Sequence, residues 1–375
     1  MSFTILVSAL IWIVYLLIEK IRVVVARKKI PHVIHVNGTR GKSSVCRLIE
    51  AGLRNGGMRV FCKTTGINPT TIDVDGEERI IPRKGCANIK EQVEILCKAS
   101  KQNVQILVVE CMAVRPELQH VTQHSILRAD ICAITNVRRD HTDVMGESLQ
   151  EIADALSNTI PRNGILFTTE EAQTQILKNV ADRLCCRFVP VQPDDDEQTF
   201  DFSENIALAL AVCEYLGVER EKALAGMKRY KRDPFALSLY RWGKALFINA
   251  LSVNDIQSTH IVWETLSNEY DLNDKRLVIL MNNRPDRGSR TRDMTAVCEA
   301  LQPNEIWLMG ASRIYVRRKL KNKLPNTVVK MWSSAEAIPS EEIEQDKVIF
   351  AIGNIANDGL AIMRRVREEG IEFVR

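Results

Sequence analysis

The stretch P-H-V-I-H-V-N-G-T-R-G-K-S-S-V-C-R, residues 31–47, decides the fold. A β-branched run over 32–36 meets a polar, glycine-flanked turn at 37–41, then Lys42, two serines and an amphipathic pattern. Strand, glycine-bearing loop and helix start form the geometry that holds phosphate. Loop N–H groups point at the anion, and the helix dipole adds partial positive charge. Lys42 suits terminal phosphate oxygens, and Ser43 suits a magnesium ion. The strict G-x-x-x-x-G-K-[ST] spacing is not met, because its first glycine falls on Val36. The candidate nucleotide-binding residues are Asn37, Gly38, Thr39, Arg40, Gly41, Lys42, Ser43 and Ser44. The bland alternative is an ordinary strand–turn–helix.

On the N-terminal side, residues 3–18 are apolar except for Thr4 and Ser8, and Arg22, Arg27, Lys28 and Lys29 follow. A secretory signal puts its positive charge first, so this order predicts a transmembrane anchor instead. Residues 21–26 extend the helix to spanning length. The trailing charges place the body in the cytoplasm and the N-terminus outside. The alternative is a buried helix packed on a partner. Pro31 starts the first strand.

On the C-terminal side, apolar strands are expected at 59–65, 104–111, 129–137, 164–169 and 186–191. Helices are expected at 43–55, 89–100, 148–160, 203–216 and 219–231. A turn-rich excursion over 67–85 carries a hairpin at Asp75-Gly76, and 194–197 is an acidic loop. Such alternation means a parallel sheet covered on both faces, with its site beyond the strands' carboxyl ends. A second series of strands follows Pro234, at 245–251, 276–282, 305–309, 327–332 and 347–352. Helices at 256–270 and 291–300 lie between them. Three segments result: an anchor and basic flank (1–29), a nucleotide-binding domain (30–232) and a smaller α/β domain (233–375).

The chain has 375 residues and a net charge of +4, which gives no argument for nucleic acid. Arg313, Arg317, Arg318, Lys319, Lys321 and Lys323 nevertheless cluster. They form either a solvated helix face or a surface that guides a polyanion. The ten cysteines form no C-x-x-C pair and read as small core residues in a reducing compartment.

Three strand ends carry chemistry. Glu110 closes an apolar strand, where a carboxylate is expensive unless exposed or bound to a cation, so metal ligation is its natural use. His141 lies between Asp140 and Asp143, which can orient its ring. In the second domain M-N-N-R-P-D-R-G-S-R-T-R, residues 281–292, sets Arg284, Arg287, Arg290 and Arg292 directly after a buried strand. Arginine suits carboxylate or phosphate there. Asp255 and Asn354 occupy equivalent strand ends.

These residues resemble the Mur ligase superfamily of ATP-dependent amide-forming enzymes, whose loop reads G-T-x-G-K-[ST], here residues 38–43. They resemble most closely the ligase subunit of poly-γ-glutamate synthase, through K-T-T-G (63–66), A-N-I-K-E-Q (87–92), E-C-M-A-V (110–114), D-H-x-D-V-M-G (140–146), M-N-x-R-x-D-R (281–287) and G-N-I (353–355). The resemblance implies a P-loop Mur-ligase-like central domain with a parallel sheet and a Rossmann-like C-terminal domain. It also implies ATP and Mg2+ as cofactors. Lys42, Glu110 and His141 become catalytic, and Ser43, Glu110 and His141 hold metal. Asn205 contacts adenine, and Arg241, a linker arginine, and Asp255 complete the ATP site. Arg284, Asp286, Arg287 and Asn354 bind substrate.

The implied reaction polymerises glutamate through γ-linkages by way of an acyl phosphate, releasing ADP and phosphate. The implied partners are glutamate, the poly-γ-glutamate chain, the membrane and small membrane subunits, without nucleic acid. One departure stands out: where many Mur ligases carry a lysine fifteen positions after the histidine, this chain has Leu156. A folylpolyglutamate-synthase-like ligase, or a membrane-tethered ATPase subunit without ligase activity, are the alternatives.

Overall fold

The computed structural model describes residues 3–66, 68–83, 85, 87–193, 201–253, 255–285 and 288–373. The acidic loop expected at 194–197 and the substrate candidates Asp286 and Arg287 therefore lie outside the described residues. The chain divides into two units, Met1–Arg232 and Asp233–Arg375.

The first unit opens with α1 (Phe3–Lys28), β1 (His32–Asn37), α2 (Lys42–Asn55), β2 (Val60–Thr64), β3 (Thr70–Ile72), β4 (Glu78–Ile80), α3 (Lys90–Ser100) and β5 (Ile106–Glu110). It continues with α4 (Pro116–Val121), a π-helical turn (Thr122–Leu127), β6 (Ile131–Ile134), α5 (Thr142–Met145), α6 (Leu149–Ser157), β7 (Ile165–Thr168), α7 (Thr174–Arg183), β8 (Arg187–Pro190), α8 (Ser203–Tyr215) and α9 (Arg220–Met227). The eight strands form one sheet in the order β4-β3-β2-β5-β1-β6-β7-β8. It is parallel except at the antiparallel β2–β3–β4 edge, where the expected hairpin falls.

Side-chain alternation along β1 sorts the layers. Ile34 and Val36 join one core with Val45, Leu48, Ile49 and Leu53 of α2 and with α8. Val33 joins the opposite core with Val93, Leu96 and Ala99 of α3 and with Ile126 and Leu127 of the π-helical turn. With both faces covered, each strand reads as a continuous apolar run.

The apolar part of α1 is exposed, and the helix is long and apolar enough to cross a membrane. Its last turns belong to the body: Val23 and Ala26 are buried with Leu96 and Ala99. Arg27 pairs with Asp130 at 2.6 Å. The segment expected at 1–29 is thus one continuous helix whose end packs on α3.

The second unit contains β9 (Ser238–Trp242), β10 (Ala245–Asn249), α10 (Ile256–Glu269), β11 (Arg276–Asn283), α11 (Gly288–Leu301), β12 (Glu305–Gly310), α12 (Arg313–Lys323), β13 (Val328–Met331), α13 (Ser340–Ile343), β14 (Lys347–Gly353), α14 (Asp358–Glu369) and β15 (Ile371–Phe373). Its sheet order is β13-β12-β11-β14-β10-β9-β15. β10 to β14 run parallel, and β9 and β15 add antiparallel at the β10 edge. Trp242, Phe247, Leu280, Trp307 and Ile349 pack against Ile362, Met363 and Val366 of α14. The amino ends of the central strands are closed by buried charge. Lys347 pairs with Glu342 at 2.7 Å, and Lys330 bridges Glu342 (2.5 Å) and Glu305 (2.9 Å).

Candidate active site

The phosphate loop leaves β1 between β5 and β6, so the ends of three parallel strands supply its surroundings. Gly38 and Gly41 hold the two left-handed positions, φ +127° and +81°. Each also permits a close approach. A Cβ on Gly38 would sit 2.1 Å from Thr135 Oγ1, and one on Gly41 would sit 2.6 Å from Asn205 Oδ1. Only glycine accepts both demands without strain.

The segment after β6 pins the loop. Thr39 N donates to Asn136 O at 3.0 Å, and Arg40 N donates to Asn136 Oδ1 at 3.0 Å. Arg138 N donates to Thr39 Oγ1 at 3.0 Å, and Thr135 Oγ1 donates to Arg40 O at 2.5 Å. Glu170, at the end of β7, holds that segment in turn by accepting from Val137 N at 2.6 Å. Lys42 folds back so that Nζ donates to Gly38 O (2.6 Å) and Thr39 O (3.2 Å). The ammonium therefore lies over the loop, where a phosphate would meet it.

Ser43 and Glu110 are brought together. Ser43 Oγ donates to Glu110 Oε2 at 2.8 Å, and Thr65 N donates to the same oxygen at 2.6 Å. Glu110 is 3% exposed. A buried carboxylate beside a serine hydroxyl, at the start of a phosphate-loop helix, is the donor set a magnesium ion takes. Gln92 Nε2 donates to Glu110 O at 3.2 Å and steadies the strand end. Next to it Lys63 is fully buried and pairs with Glu91 at 2.8 Å, and Arg83 grips Glu91 from the other side. Burial lowers the Lys63 pKa, and the hydrogen bond that Lys63 donates to Glu91 opposes this.

His141 adopts a left-handed conformation, φ 49°, at the start of α5. Its N–H donates to Asp140 Oδ1 at 3.0 Å, and its Nε2 lies 3.6 Å from Asp140 Oδ2. Arg40 lies 3.1 Å from the same oxygen. The structure thus sets His141 against Asp140. Among the described residues, no three His, Cys, Asp or Glu side chains group closely enough to hold a metal by themselves. Leu156 is fully buried with Val137, Ile152 and Ala153, so this position lies in the core.

Asn205 sits on the first turn of α8 against Gly41, and its Nδ2 donates to Asp201 Oδ1 at 2.9 Å. Asn37 spends its amide on the opposite layer, donating to Gln119 Oε1 (2.9 Å) and Thr159 Oγ1 (3.1 Å). His35 points the same way, and its Nδ1 meets Gln123 Oε1 at 2.9 Å. Burial pulls the His35 pKa down to about 4.

The candidates in the second unit have structural partners of their own. Asp255 caps α10, accepting from Ser258 N at 2.8 Å. Asn354 Oδ1 accepts from Ala356 N at 2.9 Å, and Asn354 O accepts from Asn282 Nδ2. Arg241, expected in a linker, lies within β9, paired with Leu246 and Ile371, with its guanidinium over the Phe373 ring. Arg241 is exposed, whereas Leu239, Tyr240 and Trp242 of the same strand are buried. Arg284 follows β11 directly.

The residues the sequence reading missed are Thr65, Glu170 and Asp201. Of these, only Asp201 carried a local signal, a carboxylate one helical turn before Asn205.

Residues 36–212 match the Mur ligase middle domain, and 237–369 match the poly-gamma-glutamate synthase CapB C-terminal domain. A bifunctional folylpolyglutamate synthase/dihydrofolate synthase, solved with Mn, AMPPNP and L-glutamate bound, shares the fold. Its TM-score is 0.67 at 15% identity, over 93% of each chain. Loop and fold together define an ATP-dependent amide ligase of the Mur type.

The chain is also similar to the capsule biosynthesis protein CapB of Bacillus anthracis, 31% identical over 91% of this chain and 78% of that one. It is likewise 31% identical to the PGA synthase CapB of Bacillus subtilis, over 90% and 91%. The chain belongs to the CapB family of poly-γ-glutamate synthases, as the resemblance in its motifs implies.

Proposed function

We propose that this chain uses ATP to add glutamate to the end of a γ-linked glutamate chain. ATP phosphorylates the terminal carboxylate, the amine of an incoming glutamate attacks the acyl phosphate, and ADP and phosphate leave. The observation that carries the reading is the Ser43–Glu110 contact of 2.8 Å at the head of the phosphate-loop helix, in a chain 31% identical to PGA synthase CapB.

Ser43 and Glu110 would hold Mg2+, which when bound neutralises charge on the transferring phosphoryl group. Lys42 would exchange Gly38 O and Thr39 O for phosphate oxygens. Gly41 and Asn205 would set the nucleotide against α8, with Asp201 fixing the amide. His141, held by Asp140, would meet the carboxylate being activated. Arg284, after β11, would bind a glutamate carboxylate. The exposed helix α1 would tether the enzyme to a membrane, where small membrane subunits would receive the product.

The test is incubation of membranes carrying this chain with ATP, Mg2+ and labelled glutamate, with tetrahydrofolate as a parallel acceptor. The expected result is labelled γ-linked polymer with ADP. AMP as the product, elongation of folate alone, or hydrolysis indifferent to glutamate would overturn it.

A further inference from the structure

The basic run 313–323 takes no part in the site built around Lys42, yet it borders two open hollows in the second unit. One, of about 970 Å3, lies between the start of α12 and the end of β13 and is bordered by Arg313, Arg318 and Trp332. The other, of about 470 Å3, lies between α11 and α12 and is bordered by Arg284, Arg292 and Lys319. Ser312 and Tyr315 line both, so the two form a continuous groove past the carboxyl ends of β11, β12 and β13.

Its chemistry is one-sided. Among the described residues, five cationic side chains and no carboxylate line the two hollows. Arg313 is held in place, since its guanidinium donates to Trp332 O. Tyr315 is largely exposed and offers a flat apolar wall.

A groove with charges of one sign and low-dielectric walls concentrates ligands of the opposite sign. Arginine donates charge-assisted hydrogen bonds that suit carboxylates. A γ-linked glutamate chain leaves one α-carboxylate free on every residue and pairs it with an apolar methylene run. We propose that this groove binds the poly-γ-glutamate product, so that the chain stays bound between additions. The inference rests on the proposed function for the identity of its ligand.

The experiment uses the full chain in detergent and a fluorescent γ-glutamate oligomer of about ten residues. The variant is Arg318→Glu with Lys319→Glu, whose fold is checked by the thermal shift on ADP. Oligomer binding is expected to weaken by roughly tenfold or more, since charge-assisted hydrogen bonds carry that much. Wild-type binding should fall steeply with added salt. Polymer made by the variant in membranes should be shorter.

Unchanged oligomer affinity in a folded variant would overturn the proposal. So would a groove that binds anionic vesicles or RNA while ignoring the oligomer. Wild-type chain that binds the oligomer through this groove but joins no glutamate would overturn the proposed function and leave the groove. Ligation with groove-independent binding would do the reverse.

Discussion

Glu110→Gln separates the two roles the Glu110 carboxylate could have. As a structural acceptor, Glu110 Oε2 takes hydrogen bonds from Ser43 Oγ (2.8 Å) and Thr65 N (2.6 Å). A glutamine oxygen can accept both, so the geometry survives. What is lost is the charge on the acceptor. Hydrogen bonds to a charged group are worth about 1.5–3 kcal/mol and neutral ones about 0.5–1.5, so two bonds lose about 2 kcal/mol together. Burial of Glu110 leaves little water to screen that difference. For a unit of this size the thermal midpoint should drop by roughly 4–8 °C.

As a magnesium ligand the carboxylate has no substitute in the amide. Losing it should cost about 4 kcal/mol in the transition state, a factor of about a thousand in rate. The assay pairs thermal unfolding with ADP formation across a Mg2+ titration. The expected outcome is a folded protein that binds ADP without metal and has lost its magnesium response. A variant with wild-type rate at ordinary Mg2+ would refute the metal role. A variant as unstable as Glu110→Ala would refute the hydrogen-bond bookkeeping.

Three further outcomes are expected. Leu156→Lys, which restores the residue many Mur ligases carry, should destabilise the first unit by about 3–5 kcal/mol in urea unfolding, because an unpaired ammonium enters a core of Val137, Ile152 and Ala153. A gain in ligation by a stable variant would contradict this. The unfolded chain binds a proton at His35 near pH 6.5 and the native chain only near 4, so His35 favours the fold above pH 6.5 and this is lost as pH falls. The slope is up to about 1.4 kcal/mol per pH unit, and His35→Gln should flatten denaturation curves measured between pH 6.5 and 4. A chain beginning at Val23 should leave the membrane fraction yet unfold at the full-length midpoint, since the buried contacts of α1 begin there.

Much of the architecture was legible because strands covered on both faces are apolar throughout, as in I-L-V-V-E of β5 and V-I-F-A-I of β14. The helix α2 was legible from Val45, Leu48, Ile49 and Leu53. The segment α4 and the start of the π-helical turn were not, because Gln119, Thr122 and Gln123 are buried there, with Gln123 meeting His35 and Gln119 meeting Asn37, before the apolar Ile126 and Leu127. An apolar period cannot appear where the buried face is an amide network. Strands β9 and β15 were hidden for a different reason: S-L-Y-R-W and I-E-F are short segments placed by long-range antiparallel pairing. The helix α7 was readable from Leu177, Val180 and Ala181 but was passed over.

The site divides along the same line. Its candidate reacting groups stood out because phosphate and magnesium demand particular residue types at particular spacings. Its supports were not, because they are ordinary polar residues made useful only by the sheet. The shortened loop follows from this. In the longer pattern a glycine-rich turn wraps the phosphates by itself. Here Asn136 takes the N–H groups of both Thr39 and Arg40, Thr135 closes on Gly38, and Asn205 closes on Gly41. Strand β6 and helix α8 supply shape that extra loop residues would otherwise provide. A loop held from outside is rigid before ligand arrives, which lowers the entropy lost on binding. The same argument makes Asn136 a positioning residue of the nucleotide site. Its replacement by alanine frees the Arg40 N–H and removes the side-chain donor to Arg40 O, while the main-chain carbonyl keeps Thr39 N and every group that would touch phosphate stays in place.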